Sequence, residues 1–482
     1  MSPVGGSAAR PTTAPTTGPG AISNNGSGTT TGGATAPSNP VSGIGLSSFF
    51  DTYNFNFPVP AGQSLGTVAN SSHKLVAPEG GKVYLQIGLQ TTDKAPTNRQ
   101  PLNISFVFDK SGSMYGEKIQ YSKIAAKEMI DQLGAQDTFS LVTFDTDVST
   151  LITPAFAVRK DEWKPAVDSI EPGSSTNIDG GLERGYVEVQ KNYKPESINR
   201  VILMSDGEAN VGITDAPTLG KRATAFAGEG ISLTTIGVGT GFNESFMTQL
   251  ATAGKGTFYF ANSAEAAKQA FAGEVTSLQR TVARNVKLAV NVADGVKVLN
   301  VYGHSSKTEG QSLNVDSNDL ILSQSKVILL ELQVPAGAEG VEKAIANVKV
   351  DFDDVVNGGH KQAVAEAKVA YTADAAKRDA GMDSKIASSV IILQTASVLI
   401  RAAELLDGGQ KAQAKAELLQ QFEIVNAKAA ELKDQDLKDE ATNLKQYLDR
   451  VDGTDLEVLK KELQFDAFQK QQGKKKVIQP AA

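Results

Sequence analysis

Between residues 101 and 281 the sequence switches repeatedly between short apolar runs and helical stretches, and this alternation limits the fold more than any other feature. Apolar runs at 104–108, 138–144, 200–205, 232–238 and 257–260 have the length of buried strands. Helical patterns at 117–133, 179–192, 216–228, 243–252 and 264–280 separate them. A strand that returns through a helix to a parallel neighbour makes a right-handed crossover. Residues 101–281 are therefore expected to form an α/β unit, a doubly wound and mostly parallel sheet with helices on both faces.

Outside that span the period is two. Val83, Leu85, Ile87 and Leu89 alternate with Tyr84, Gln86 and Gly88 before it, and Val286, Leu288, Val290 and Val292 lead a second set after it, followed by runs at 327–334 and 345–352. Two arrangements satisfy this pattern. Residues 51–100 and 282–372 build one β-sandwich into which the α/β unit is inserted, or they form two separate small sheets. Residues 383–470 are rich in Ala, Leu, Lys, Glu and Gln, and Gly408-Gly409, Asp434 and Gly453 divide them into about four helices. These read as a helical bundle packed on itself or on the sandwich, with a coiled-coil partner site as the sharper reading. Residues 471–482, with Lys474-Lys475-Lys476, read as a solvated basic tail.

From Ser2 to Phe50 the only charged residue is Arg10, amid Gly, Ser, Thr, Pro, Ala and Asn. Such a tract buries too little apolar area to offset its ordering entropy, so residues 1–50 read as a disordered tether of the kind that carries a folded head away from a cell surface. A cytoplasmic tail is the alternative. Its first residues lack the charged segment and apolar run of a signal peptide. The most apolar segment, Ile386 to Ile400, holds Ser388, Ser389, Gln394, Thr395 and Ser397 and is too short and polar for a membrane span. A net charge of -7 lacks the basic footprint that neutralises phosphates, so nucleic acid is not an expected partner. The absence of cysteine excludes disulfides, thiolate zinc sites and thiol nucleophiles together. His73, His304 and His360 all fall outside the α/β unit, which leaves a histidine-based site without support.

Chemistry concentrates at the end of the first α/β strand, in Asp109-Lys110-Ser111-Gly112-Ser113-Met114. One carboxylate and two hydroxyls at alternate positions converge when the loop turns sharply, and oxygen ligands are what a hard divalent cation takes. By itself the pattern is weak, because Asp and Ser crowd strand-to-helix loops as turn formers and caps. Two further segments strengthen it: Gly173-Ser174-Ser175-Thr176-Asn177-Ile178 before a helix, and Leu203-Met204-Ser205-Asp206-Gly207-Glu208 at the end of a later strand. With strand order 3-2-1-4-5-6, Asp109 and Asp206 end neighbouring strands at the switch point, where ligands bind.

Together, Asp109 to Met114, Ser175 to Ile178 and Ser205 to Gly212 resemble the metal-ion-dependent adhesion site of von Willebrand factor A domains. The flanks are similar to bacterial members with β-sandwich material around the A domain, and the likeness covers about residues 80–370. The resemblance implies Ser111 and Ser113 as direct metal ligands, Thr176 as a direct or water-mediated one, and Asp109 and Asp206 as carboxylates acting largely through water. It also implies a free coordination position filled by an acidic side chain of a protein partner. Mg2+ is the expected ion, with Mn2+ and Ca2+ as alternatives. Lys110 departs from the apolar residue or Thr of many relatives; it either points to solvent or sits beside the metal, weakening its binding or helping to hold an acidic ligand. The expected function is a divalent-cation-dependent adhesion or assembly module of a bacterial cell envelope, and an intracellular scaffold assisting a larger complex is the alternative. Catalysis is not expected, because the motifs offer no positioned His or Lys base.

Overall fold

The structure, a computed structural model, describes residues 53 and 55–474 except 98, 207–208, 240, 303–305, 310–311 and 379–382. The tether expected over residues 1–50 and the tail from 475 onward lie outside the described residues.

Three strands come first: β1 (Leu65–Ser71), β2 (Leu75–Val76) and β3 (Gly81–Thr91). The α/β domain opens with β4 (Leu102–Asp109), α1 (Glu117–Gln132), β5 (Thr138–Phe144), β6 (Val148–Phe156), α2 (Lys164–Asp168) and α3 (Ile178–Gln190). It continues with β7 (Ile198–Ser205), α4 (Ala216–Gly228), β8 (Ile231–Val238), α5 (Glu244–Ala253), β9 (Lys255–Ala261) and α6 (Ala264–Gln279). Side chains of Asn177, Asp215, Asn243 and Ser263 accept backbone N–H bonds in the first turns of α3, α4, α5 and α6, which fixes where those helices begin.

The strand order is β6-β5-β4-β7-β8-β9, and every pair is parallel except the β5–β6 hairpin. Alternate residues of β4 feed two cores. Ile104, Phe106 and Phe108 pack with Met129 of α1 and Phe271 of α6, whereas Val107 packs with Leu182 of α3 and Leu203 of β7. Helices thus cover both faces, as a parallel sheet requires. The sequence analysis placed no strand at β6. There only Ile152 is buried, Leu151 is exposed and Pro154 interrupts the run, so this edge strand carries no apolar signal.

Eight strands follow: β10 (Thr281–Val292), β11 (Lys297–Tyr302), β12 (Ser306–Glu309), β13 (Ser312–Asp316), β14 (Leu320–Ile321), β15 (Ser325–Val334), β16 (Glu342–Asp354) and β17 (His360–Tyr371). They decide between the two arrangements left open above. β3 pairs antiparallel with β15 from Gln90 opposite Ser325 to Gly81 opposite Val334, in a sheet ordered β1-β3-β15-β11. A second sheet runs β12-β13-β10-β16-β17-β2. Leu85, Ile87, Ile328 and Leu330 of the first share one core with Leu288, Val290, Val348 and Val350 of the second. Strands before and after the α/β domain therefore build a single two-sheet unit, and the domain is an insertion between β3 and β10.

The chain ends in α7 (Ala375–Arg378), α8 (Ser384–Asp407), α9 (Lys411–Leu432), α10 (Gln435–Val451) and α11 (Leu456–Gln471). Their apolar faces cover the outer side of β15, where Val327 and Leu329 join the core of Ile386, Leu399, Leu418 and Leu444. By length and composition α8 could cross a membrane, but 67% of its most apolar window is buried inside the protein. α11 also reaches the α/β domain. Phe465 and Phe468 stand edge-on to Phe258, and Lys461 donates to Phe242 O at 2.9 Å and to Glu244 Oε2 at 2.8 Å. Residues 472–474 continue this packing rather than starting a solvated tail. Gly473 O accepts from Tyr53 N, Gln472 O accepts from Gln324 Nε2, and Lys474 is buried.

Lys461 is 2% exposed and its loss leaves Glu244 largely buried without its ammonium partner. Lys461→Ala is expected to lower the unfolding free energy by roughly 3 kcal/mol, read from urea denaturation of the whole chain. An unchanged midpoint would show that α11 does not anchor to the α/β domain through this contact.

Candidate metal centre

Parallel pairing of β4 with β7 sets Phe108 opposite Met204, so Asp109 at the end of one strand and Asp206 just beyond the other enter the same crevice. Asp109 is fully buried. Its Oδ1 accepts the Ser111 N–H at 2.8 Å and its Oδ2 accepts the Ser205 hydroxyl. The Ser111 and Ser113 hydroxyl oxygens lie 3.0 Å apart, and Ser113 Oγ donates to Asp206 Oδ1 at 2.8 Å. Four of the five expected ligand residues thus form one continuous chain of hydrogen-bonded groups.

Thr176 arrives on a third loop that is tied to the other two through backbone. Gly112 N–H donates to Ser174 O at 2.8 Å, Thr176 N–H donates to Asn210 Oδ1 at 2.8 Å, and Thr176 O accepts from Asn210 N at 3.0 Å. Thr176 is 4% exposed. A side chain at Gly173 would place its Cβ 1.7 Å from Asp145 Oδ2, so the close approach of these loops depends on glycine there. Residues 207 and 208 of the third motif lie outside the described residues.

Burial pushes the Asp109 carboxyl up to about 6, with the neighbouring Asp206 adding to the rise and the bonds from Ser205 and Ser111 opposing it. Two lysines enter the picture in ways the motifs did not show. Lys118 in the first turn of α1 bridges Asp206 Oδ2 and the Ser113 carbonyl, the latter at 3.1 Å. The motifs did not include Lys118, which stands at the site as the ion-pair partner of Asp206. A basic side chain in the first turn of a helix opposes the helix dipole, and that misfit was the available signal that it had an acidic partner elsewhere. Lys110 does not point free into solvent: its Nζ pairs with Asp145 Oδ2 at 2.6 Å. Burial works to raise Asp145, but the Lys110 ammonium and the Asp147 N–H outweigh it and hold the carboxyl below its usual range. Ser205, Asn210 and Asp145 are supporting residues whose partners depend on loop packing rather than spacing.

The converging set is two carboxylates and hydroxyl oxygens, which suits a hard cation such as Mg2+, Mn2+ or Ca2+ and not a thiophilic metal. No group of three His, Asp or Glu gathers among the described residues, so the serine and threonine hydroxyls are needed to complete a shell. Asp109, Ser111 and Asp206 are buried, whereas Ser113 is exposed and Tyr115 is 81% exposed. The donor set fits a divalent ion.

A family model for the von Willebrand factor type A domain matches residues 103–273. An uncharacterized protein, YfbK of Escherichia coli K12, is 26% identical over 269 residues, which is 54% of this chain and 47% of that protein. Inter-alpha-trypsin inhibitor heavy chain H2 of Sus scrofa is 30% identical over 37% of this chain and 20% of its own length. The chain thus spans about half of one relative and a fifth of the other. Among solved structures, a von Willebrand factor type A protein from Catenulispora acidiphila shares the fold with a TM-score of 0.68 at 15% identity, over 89% of this chain and 99% of its own. The ArnB paralog VWA2 from Sulfolobus acidocaldarius gives a TM-score of 0.57 at 19% identity, over 85% and 99%.

Asp109 carries a testable consequence. Its folded value near 6 stands above the 3.8 of a free Asp, so the native state binds this proton more tightly than the unfolded chain does. The stability it contributes is present below about pH 4 and is lost as pH rises to about 6. In chelator at pH 7.5, Asp109→Asn is expected to melt at or above wild type, and the gap should close toward pH 4. A variant that melts several degrees lower at pH 7.5 would contradict this placement of Asp109.

Proposed function

Residues 103–273 of this chain form a von Willebrand factor type A domain, and on that premise we propose that the chain captures a protein partner through a divalent cation held by Ser111, Ser113 and Thr176 with Asp109 and Asp206. The observation that carries the reading is the unbroken link from Asp109 through Ser111 and Ser113 to Asp206 at the junction of β4 and β7. Mg2+ is the ion we assign, with Mn2+ as a close substitute and Ca2+ disfavoured by its preference for a larger, looser oxygen shell. Such an ion supplies a coordination position to a carboxylate from outside.

The residues of the chain do the rest. Asp109 is held by Ser205 and by the Ser111 N–H, which leaves the two serine hydroxyls turned toward each other and toward Asp206. With the carboxylates held behind hydroxyls, a bound divalent ion would keep unneutralised charge, which an Asp or Glu of the partner would satisfy. Lys118 and Lys110 are each engaged with a carboxylate of the chain, which suits binding rather than proton transfer. We read the protein as a non-enzymatic module of a bacterial cell envelope, where the Gly-, Ser- and Thr-rich residues 1–50 serve as a tether.

Calorimetric titration with Mg2+ and Mn2+ tests the reading. Wild type is expected to bind one ion, and Asp109→Ala to weaken it by about 10–100-fold. Lys118→Met, which removes a positive charge beside the ion, is expected to bind more tightly than wild type. Partner capture should disappear in EDTA and return with Mg2+. Equal ion binding by wild type and Asp109→Ala, or capture that persists in EDTA, would overturn the assignment.

A further inference from the structure

At the opposite end of β7, six residues and about 20 Å from Asp206, lies a cleft of about 40 Å³ lined by residues of the α/β domain, the two-sheet unit and the end of the C-terminal helix. Arg200, Glu274 and Ser277 come from the first, Asp319 from the second, and Lys474 from the third. We infer that this cleft binds one small monovalent inorganic anion of the chloride class, held by Arg200 Nε, Ser277 Oγ and the Lys474 ammonium.

Two buried donors point to a missing acceptor. Arg200 is 4% exposed and Ser277 is 7% exposed, yet Arg200 Nε and Ser277 Oγ have no hydrogen-bond partner among the described residues. Leaving a buried donor unpaired is costly, so a native structure tends to supply a partner. The local carboxylates do not. Glu274 accepts from Thr234 Oγ1 at 2.6 Å and from Tyr259 OH at 2.9 Å, and stands 3.8 Å from Arg200 Nε. Asp319 lies 3.9 Å from Arg200 Nη2.

Charge points the same way. The cleft is lined by the buried cations Arg200 and Lys474 and the half-buried Lys255 against two carboxylates, Glu274 and Asp319, and the buried Lys326 feels the charge of Lys474. Among the described residues Lys326 bonds neutral oxygens, Ser317 Oγ at 3.3 Å and Gln472 Oε1 at 3.1 Å. Burial and the charge of Lys474 lower Lys326 to about 7, and burial lowers Lys474 against the partial support of Glu274. One negative charge would relieve both lysines, whereas water would satisfy donors without balancing charge. The size selects within anions. At roughly 10–15 Å³ for each water-sized occupant, the enclosed part of the cleft holds a few atoms, which fits a monatomic anion.

The test is thermal melting of the whole chain in sodium gluconate, titrated with chloride at constant ionic strength. The expected result is a saturable rise of a few degrees that bromide reproduces. Ser277→Ala and Lys474→Met should each abolish the saturable part, and Lys474→Met should melt no lower than wild type in gluconate, since it removes an unbalanced charge. Ser277→Ala alters only one hydroxyl and serves if Lys474→Met does not fold. Identical melting in gluconate and chloride, or a saturable rise that survives in Ser277→Ala, would overturn the proposal. The metal centre has no part in this readout, which is run in EDTA.

Discussion

Seven paired positions, from Leu102 opposite Ile198 to Phe108 opposite Met204, hold β4 against β7 at the middle of the six-stranded sheet. Everything at the candidate metal centre follows from that register. Because the pair is parallel, both strands finish on the same side, and the two carboxylates that follow them are brought together although they are separated by almost a hundred residues of sequence. Neither strand exposes a residue, so helices on both faces enforce the register by burying it. A shift of one residue would move Phe106 and Phe108 from the α1–α6 side to the α3 side and carry Asp109 away from Ser205.

The rest of the chain presents this domain from a fixed base. Its entry and exit strands belong to the two-sheet unit, where β3 and β15 pair over their whole facing length, and the helices behind β15 close the outer side of that sheet. α11 then returns to the α/β domain through Lys461, Phe465 and Phe468. Phe465 and Phe468 meet Phe258 of β9, whereas Lys461 bonds Phe242 in the loop between β8 and α5, at the same end of the sheet as Asp109.

Much of this was legible in the sequence, for reasons that can be located. Runs such as Phe106 to Phe108 and Val201 to Met204 are continuously apolar because both faces are covered, and such runs mark central strands. The doubly wound strand order then places Asp109 beside Asp206. Edge strand β6 was not legible, since its one buried residue, Ile152, makes no pattern. Long-range electrostatics were equally hidden. The place of Lys118 in the first turn of a helix hints at an acidic partner but not at Asp206, and nothing local says that Lys110 pairs with Asp145 or that Lys474, the first of three consecutive lysines, is buried. Spacing reveals which residues can share a loop end; it does not reveal which charge in the loop already has a partner.

The central claim is that the hydroxyls and carboxylates after β4 and β7 form one divalent-cation site. Anomalous diffraction from crystals of the chain grown with Mn2+ addresses it most directly. The account predicts a peak within bonding distance of Ser111 Oγ and Ser113 Oγ, with Asp109 and Asp206 around it and the Lys118 ammonium displaced from Asp206. A map with no peak in that crevice, or with Mn2+ bound only at some other group of carboxylates, would contradict it.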